Sequence, residues 1–185
     1  MKTCKIIFLV LTLSIFGCNT TTDTPQATAR LLPGTPEYEV ESEKIMNTIN
    51  EEFKAYFVKD YEAWQSQFIQ EDYFKYWGYW EGYPEKIRQY NTWEELDIDK
   101  QKRMAGETKA YWDGNNVGMD IRDLNLQIRG DVAWVTFKQI SRDQKTGEFL
   151  GEALETKILE KEKGEWKIAY LNFLYLPMEE TTEDE

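Results

Sequence analysis

The apolar residues of this chain change period once, near Val117. Beyond that point large apolar side chains alternate with polar ones, the two-residue repeat of a pleated strand. Turn-forming pairs follow at Gly130-Asp131, Thr146-Gly147 and Lys163-Gly164, each suited to a tight hairpin. The pattern predicts four consecutive strands, about Met119 to Ile128, Val132 to Ser141, Phe149 to Glu160 and Trp166 to Leu176. Turns this short leave no room for a crossover, so each strand must run antiparallel to the one before it.

Upstream of Val117 the spacing is helical. Thr35-Pro36-Glu37 is a helix start: threonine caps free amides, proline suits the first turn, and glutamate favours the positive end of the dipole. Ile45, Ile49, Phe53 and Tyr56 then form one apolar stripe. Asp60 reads as the cap of a second helix with Tyr61, Trp64 and Phe68 on one face, and these rings fit a core. A third helix starts at Thr92, where Thr92-Trp93-Glu94-Glu95 has the capping-box spacing, and ends near Gly106. Helices first and a meander afterwards is an α+β arrangement.

The N-terminus reads as an export signal. Lys2 and Lys5 precede an apolar run from Ile6 to Phe16, too short to span a bilayer. Ile15-Phe16-Gly17-Cys18 resembles the lipobox of bacterial lipoproteins, which implies cleavage after Gly17 and acylation of Cys18, for instance by palmitate. Lipid on Cys18 would then be the membrane anchor, since each buried methylene contributes about 0.8 kcal/mol. Asn19 stands where an aspartate would resemble an inner-membrane retention signal, so the resemblance implies a cell-envelope lipoprotein on the outer membrane of a Gram-negative bacterium. The expected organisation is a signal peptide at 1–17, lipidated cysteine and flexible tether at 18–36, one folded domain at 37–177, and an acidic disordered tail at 178–185.

Composition narrows the chemistry. The chain has no histidine, which removes the usual neutral-pH proton shuttle and the commonest metal ligand. Its two cysteines are Cys4, inside the signal, and Cys18, blocked by lipid, so the domain is expected to hold neither disulfide nor thiol nucleophile. No cofactor and no metal site is expected. The net charge of −12 becomes −14 once Lys2 and Lys5 leave, and a chain that acidic repels nucleic-acid phosphates. Aromatic residues make up 15% of the chain, enough for a real core or a ring-lined cavity.

Several of these residues carry a family resemblance. Gly130-Asp131-Val132-Ala133-Trp134-Val135, Thr156 before Ile158-Leu159, Gly164-Glu165-Trp166-Lys167-Ile168, and Lys59-Asp60 between the first two helices resemble the SnoaL-like, nuclear transport factor 2-like superfamily over about Glu37 to Tyr175. The resemblance implies a cone, with a curved antiparallel sheet wrapped around three N-terminal helices and a cavity at the open end. It also implies a homodimer through the outer sheet face.

In the last strand, Trp166, Ile168, Tyr170 and Asn172 alternate with Ala169, Leu171 and Phe173. The resemblance favours the first set for the interior. Related proteins often have histidines where Tyr170 and Asn172 stand, so an aromatic and an amide remain to hold a ligand. Trp64, Tyr76, Trp80 and Trp134 complete the candidate ligand-binding set. Tyr76 and Trp80 belong to the ring-rich stretch Tyr73 to Tyr83, expected as short strands or a loop near the cavity mouth, where rings beside a carboxylate such as Glu81 suit flat molecules, sugars or cations. Packing of a small lid onto the helices is the other reading of that stretch. Tyr111 and Trp112 add rings, and Asp113-Gly114-Asn115-Asn116 reads as a turn because the later ligands of a calcium loop are missing.

Enzymes of the superfamily use an aspartate base, a tyrosine or aspartic-acid donor, or an Asp-Arg-Asp group that activates water. Asp120 and Arg122 share a strand face and are the only catalytic candidates here, without an obvious second aspartate; an exposed ion pair is the alternative. The sequence therefore favours a non-catalytic pocket for a small apolar or flat ligand, or for a protein partner. An isomerase, dehydratase or hydrolase using carboxylates and tyrosines is the alternative, and a dimeric scaffold with a filled cone is a third.

Overall fold

Capping chemistry sets both ends of the longest helix. In a computed structural model, which describes residues 29–80, 86–107 and 116–176, α1 spans Pro36–Val58. Thr35 accepts a hydrogen bond from the Tyr38 amide at its start, and Lys59 closes it with a left-handed φ of 60°. Asp60 caps the short α2, Tyr61–Gln65, through the Ala63 amide at 3.0 Å. α3 runs over Trp93–Met104, with Thr92 accepting from the Glu95 amide. The Glu95 carboxylate reaches back to the Asn91 amide, one residue before the usual partner of a capping box. The ring-rich stretch supplies β1, Lys75–Trp80, and a short β2 follows at Ile87–Tyr90.

The four strands read from the alternation are present: β3, Val117–Arg129; β4, Val132–Asp143; β5, Phe149–Glu162; and β6, Glu165–Leu176. They pair in chain order as antiparallel neighbours, and β1 adds to β6 in parallel, so the sheet order is β2-β1-β6-β5-β4-β3. Lys163 and Gly164, both at positive φ, make the two-residue turn between β5 and β6 that fits right-twisted strands. The result is an α+β cone, a curved mixed sheet closed over by α1 to α3.

One irregularity decides which residues face inward. Ile158 pairs with Tyr170 but Leu159 pairs with Ile168, which leaves Ala169 as an extra residue in β6. Before the bulge Trp166 and Ile168 point to the core; after it Leu171 and Phe173 do. A second irregularity in β3 lies between Arg122 and Asn125, where Asp123 has φ 52°.

The core joins Ile45 and Ile49 of α1 to Ile128, Val135, Leu159 and Ile168 of the sheet. Fully burying each such aliphatic side chain contributes about 1.5–3 kcal/mol. Thr48, between the isoleucines on the same helix, hydrogen-bonds the Trp166 carbonyl at 3.2 Å, and the Trp166 indole donates to Glu41 at 2.7 Å. The last residues of the stretch expected as tether touch the domain: Arg30 bridges Arg129, and the Leu31 amide bonds to the Ile128 carbonyl at 3.0 Å. The signal segment, Cys18 and the acidic tail lie outside the described residues, as do Glu81, Tyr83, Tyr111, Trp112 and Asp113 to Asn115.

Candidate functional site

Between the concave sheet face and the helices lies a cavity of about 360 Å³. Helix spacing brings Phe53 and Tyr56 to it, one and two turns beyond the buried Ile49. Trp64 enters from α2 and Phe68 from the segment after it, their ring centres 4.7 Å apart. Tyr76 and Trp80 arrive together from β1, two pleats apart and stacked, and Trp80 lies 5.4 Å from Phe173 of β6. The walls are therefore mostly flat rings.

Charged groups stand on the β5 side. Lys157 and Glu155 share the inward parity of Leu159, and their side chains are only 3% and 2% exposed. The Lys157 ammonium lies 2.7 Å from Glu155 Oε2 and 3.3 Å from Glu52 Oε2. The first contact is an ion pair without hydrogen-bond alignment, since Glu155 Oε2 has no hydrogen-bond partner. Glu52 also accepts from the Trp64 indole at 3.2 Å. Burial pushes the Glu155 carboxyl above its ordinary range, against the pull of Lys157. Burial opposes the charge on Lys157 too, but the two carboxylates outweigh it and hold its pKa above the usual lysine value. Burial likewise raises the Tyr76 phenol well above its usual value.

The α3 side is basic. Leu96 points into the core, and Lys100, one turn on, follows it inward. Arg103 pairs with Asp99 at 2.7 Å, and Asp99 also takes a hydrogen bond from Tyr90, whose phenol is raised by burial and by that bond. Arg88 sits over the Trp80 ring at 5.5 Å.

Of the expected ligand-binding residues, Trp64, Tyr76 and Trp80 meet in this cavity. Trp134, Tyr170 and Asn172 do not line it. Trp134 is 55% exposed on the outer sheet face, because Ala133 and Val135 take the inward parity of β4. Tyr170 and Asn172 lie past the Ala169 bulge, opposite Leu171 and Phe173, so the expected interior set is right for Trp166 and Ile168 and reversed beyond them. Asp120 and Arg122 are exposed on β3, away from the cavity. Asp123, beside them, pairs with Lys138 at 3.3 Å. The cavity also holds two carboxylates outside the candidates read from the sequence, Glu52 and Glu155, joined through Lys157. Among the described residues no three metal-ligating side chains converge, and no helix is long and apolar enough to cross a membrane.

Residues 45–173 match the SnoaL-like domain. The chain belongs to the SnoaL-like domain family. Solved structures share this SnoaL-like architecture at low identity. A protein of unknown function with a cystatin-like fold from Nostoc punctiforme superposes with a TM-score of 0.57 at 15% identity, covering 75% of this chain and 92% of that one. A putative dehydratase from the nuclear transport factor 2-like family of Streptomyces avermitilis gives 0.54 at 16%, covering 78% and 100%. The association domain of CaMKII from C. elegans gives 0.54 at 16%, covering 75% and 98%. At these identities the likeness is one of fold. No curated protein matches the chain.

Proposed function

We propose that this SnoaL-like domain is a binding module that holds a small flat molecule in its cone without turning it over, on a lipoprotein anchored to the cell envelope through Cys18. The observation that carries the reading is the ring-walled cavity of about 360 Å³, a size within the range of small-molecule pockets, with polar groups on two of its walls. The anchor rests on the lipobox-like Ile15-Phe16-Gly17-Cys18. Titration with 1-aminoanthracene, a neutral fluorescent ring system, tests the binding. One probe per chain is expected, with binding lost in Ser141→Phe, which fills the cavity beside Gln139. Undiminished binding in that variant would remove the cavity from the account.

A second reading is a proton-transfer enzyme of the isomerase, dehydratase or hydrolase kind. It is favoured by Glu155 and Lys157 in the cavity, and no longer by Asp120 and Arg122. Conversion of a β-hydroxy ketone to its enone by the purified protein, lost in Glu155→Gln, would replace the binding reading with this one.

The outer face supports a homodimer. Trp77 and Trp134 are 49% and 55% exposed there, and Leu154 and Val132 are exposed beside them. Exposed apolar area of this kind on a sheet marks an interaction surface, and a second copy would cover it.

A further inference from the structure

Lys100 is an anomaly of the third helix. It stands one turn after Leu96 on the stripe that faces the core, and only 9% of it is exposed. Its ammonium lies 4.6 Å from the centre of the Tyr56 ring and 5.6 Å from that of Tyr76. Among the described residues no carboxylate comes within ion-pair distance of it and its N–H groups make no hydrogen bond, whereas Arg103 and Lys157 on the same cavity have theirs. Ring faces attract an ammonium through their quadrupole, worth about 0.5–2 kcal/mol, but they leave its three donors unused. Burying a charge without a hydrogen-bonded counter-charge is costly, so a lysine placed here needs an anion to complete it.

The surrounding charges agree. The cavity is lined by four cationic side chains, Arg88, Lys100, Arg103 and Lys157, and by two carboxylates, Glu52 and Glu155, both of which lean on Lys157. A chain with a net charge of −12 thus encloses a surplus of positive charge, even after Arg103 is matched by Asp99. We infer that the cavity selects flat molecules bearing a carboxylate, with Lys100 meeting the carboxylate between Tyr56 and Tyr76 while the rings of Trp64, Trp80 and Phe173 hold the flat body. This rests on the binding reading above and names the class of its ligand.

Calorimetric titration of the purified protein with 2-naphthoate and with its neutral isostere 2-naphthamide separates the two claims. The acid is expected to bind about tenfold or more tightly than the amide, the increment of a charge-assisted hydrogen bond in a partly dehydrated site. Lys100→Met keeps the length of the side chain and should bring the acid down to the affinity of the amide, leaving the amide within about twofold. Lys100→Arg should keep the preference. Equal affinities of acid and amide for the unaltered protein would overturn the carboxylate inference while leaving the pocket reading in place, and this comparison needs no variant to fold. Binding of neither compound would overturn both. An equal loss of acid and amide in Lys100→Met would show the lysine to be wall packing and would also overturn the inference.

Discussion

Lys157→Met should be among the most damaging substitutions in this domain. The ammonium joins Glu155 and Glu52, and the side chains of Lys157 and Glu155 are almost wholly excluded from solvent. Methionine fills a similar volume, so little packing is lost; what remains is two carboxylates facing each other in a low-dielectric site. Removing one partner of a buried ion pair costs about 3–5 kcal/mol, a large part of the 5–15 kcal/mol that holds a typical domain together. For a domain of this size that corresponds to a fall in melting temperature of about 10–20 °C. The deficit should depend on pH. Burial already raises the Glu155 carboxyl above its ordinary range, and without the pull of Lys157 it rises further. A raised folded-state pKa contributes stability that is full below the unfolded value and is lost as pH rises through the folded one. The variant should therefore be closer to the parent at pH 5 than at pH 8. Glu155→Leu with Lys157→Met, which replaces the pair by apolar groups, should recover more than half of the loss. Urea denaturation followed by far-ultraviolet circular dichroism measures all three proteins. A deficit below about 1 kcal/mol, or one equal at both pH values, would mean that water reaches the triad and that the burial argument is wrong.

Burial alone would raise the Glu41 carboxyl, but hydrogen bonds from Lys161, Lys44 and the Trp166 indole outweigh that and bring it down to about 2. Its contribution is present above about pH 4.5 and fades toward pH 2, so Glu41→Gln should flatten the acid limb of a stability profile; an unchanged limb would assign that limb to other carboxylates. Trp134→Glu places a charge on the exposed outer face and should shift a dimer to monomer in sedimentation velocity without altering the circular dichroism; identical sedimentation would move the interface elsewhere. Cys18→Ser should abolish the acyl mass increment of the isolated protein and release it from the membrane fraction, and retention in that fraction would point to another anchor.

Much of the scaffold was legible because its signals are local. Thr35, Asp60 and Thr92 cap the helices at the positions their spacing implied, and the hairpin glycines bound strands within a few residues of the expected limits. The parallel partner of β6 was hidden, because the ring-rich stretch that forms β1 has no alternation to separate strand from loop. The cavity residues were only half legible. Glu155 and Lys157 alternate with Leu154 and Thr156 and share the parity of Ala153 and Leu159, a reading available from the sequence, but charged residues on a strand pass for solvent-facing by type. Glu52 lies one turn after Ile49, next to Phe53, where the same prejudice applies. For Tyr170 and Asn172 no sequence signal existed: both faces of β6 are apolar, and an alanine marks the bulge no more than any other residue would.

That alanine makes the final strand a hinge between two inventories. Removing Ala169 would leave Ile168 opposite Leu159 and Tyr170 opposite Ile158, so Leu171 and Phe173 would still face the chamber and only the local bend would go. Losing one residue from the regular pairing just beyond it, such as Leu171, is different: every later side chain would turn over, sending Phe173 and Tyr175 toward the docking surface. Homologues without the extra residue should accordingly carry their inward rings two and four places after the counterpart of Ile168.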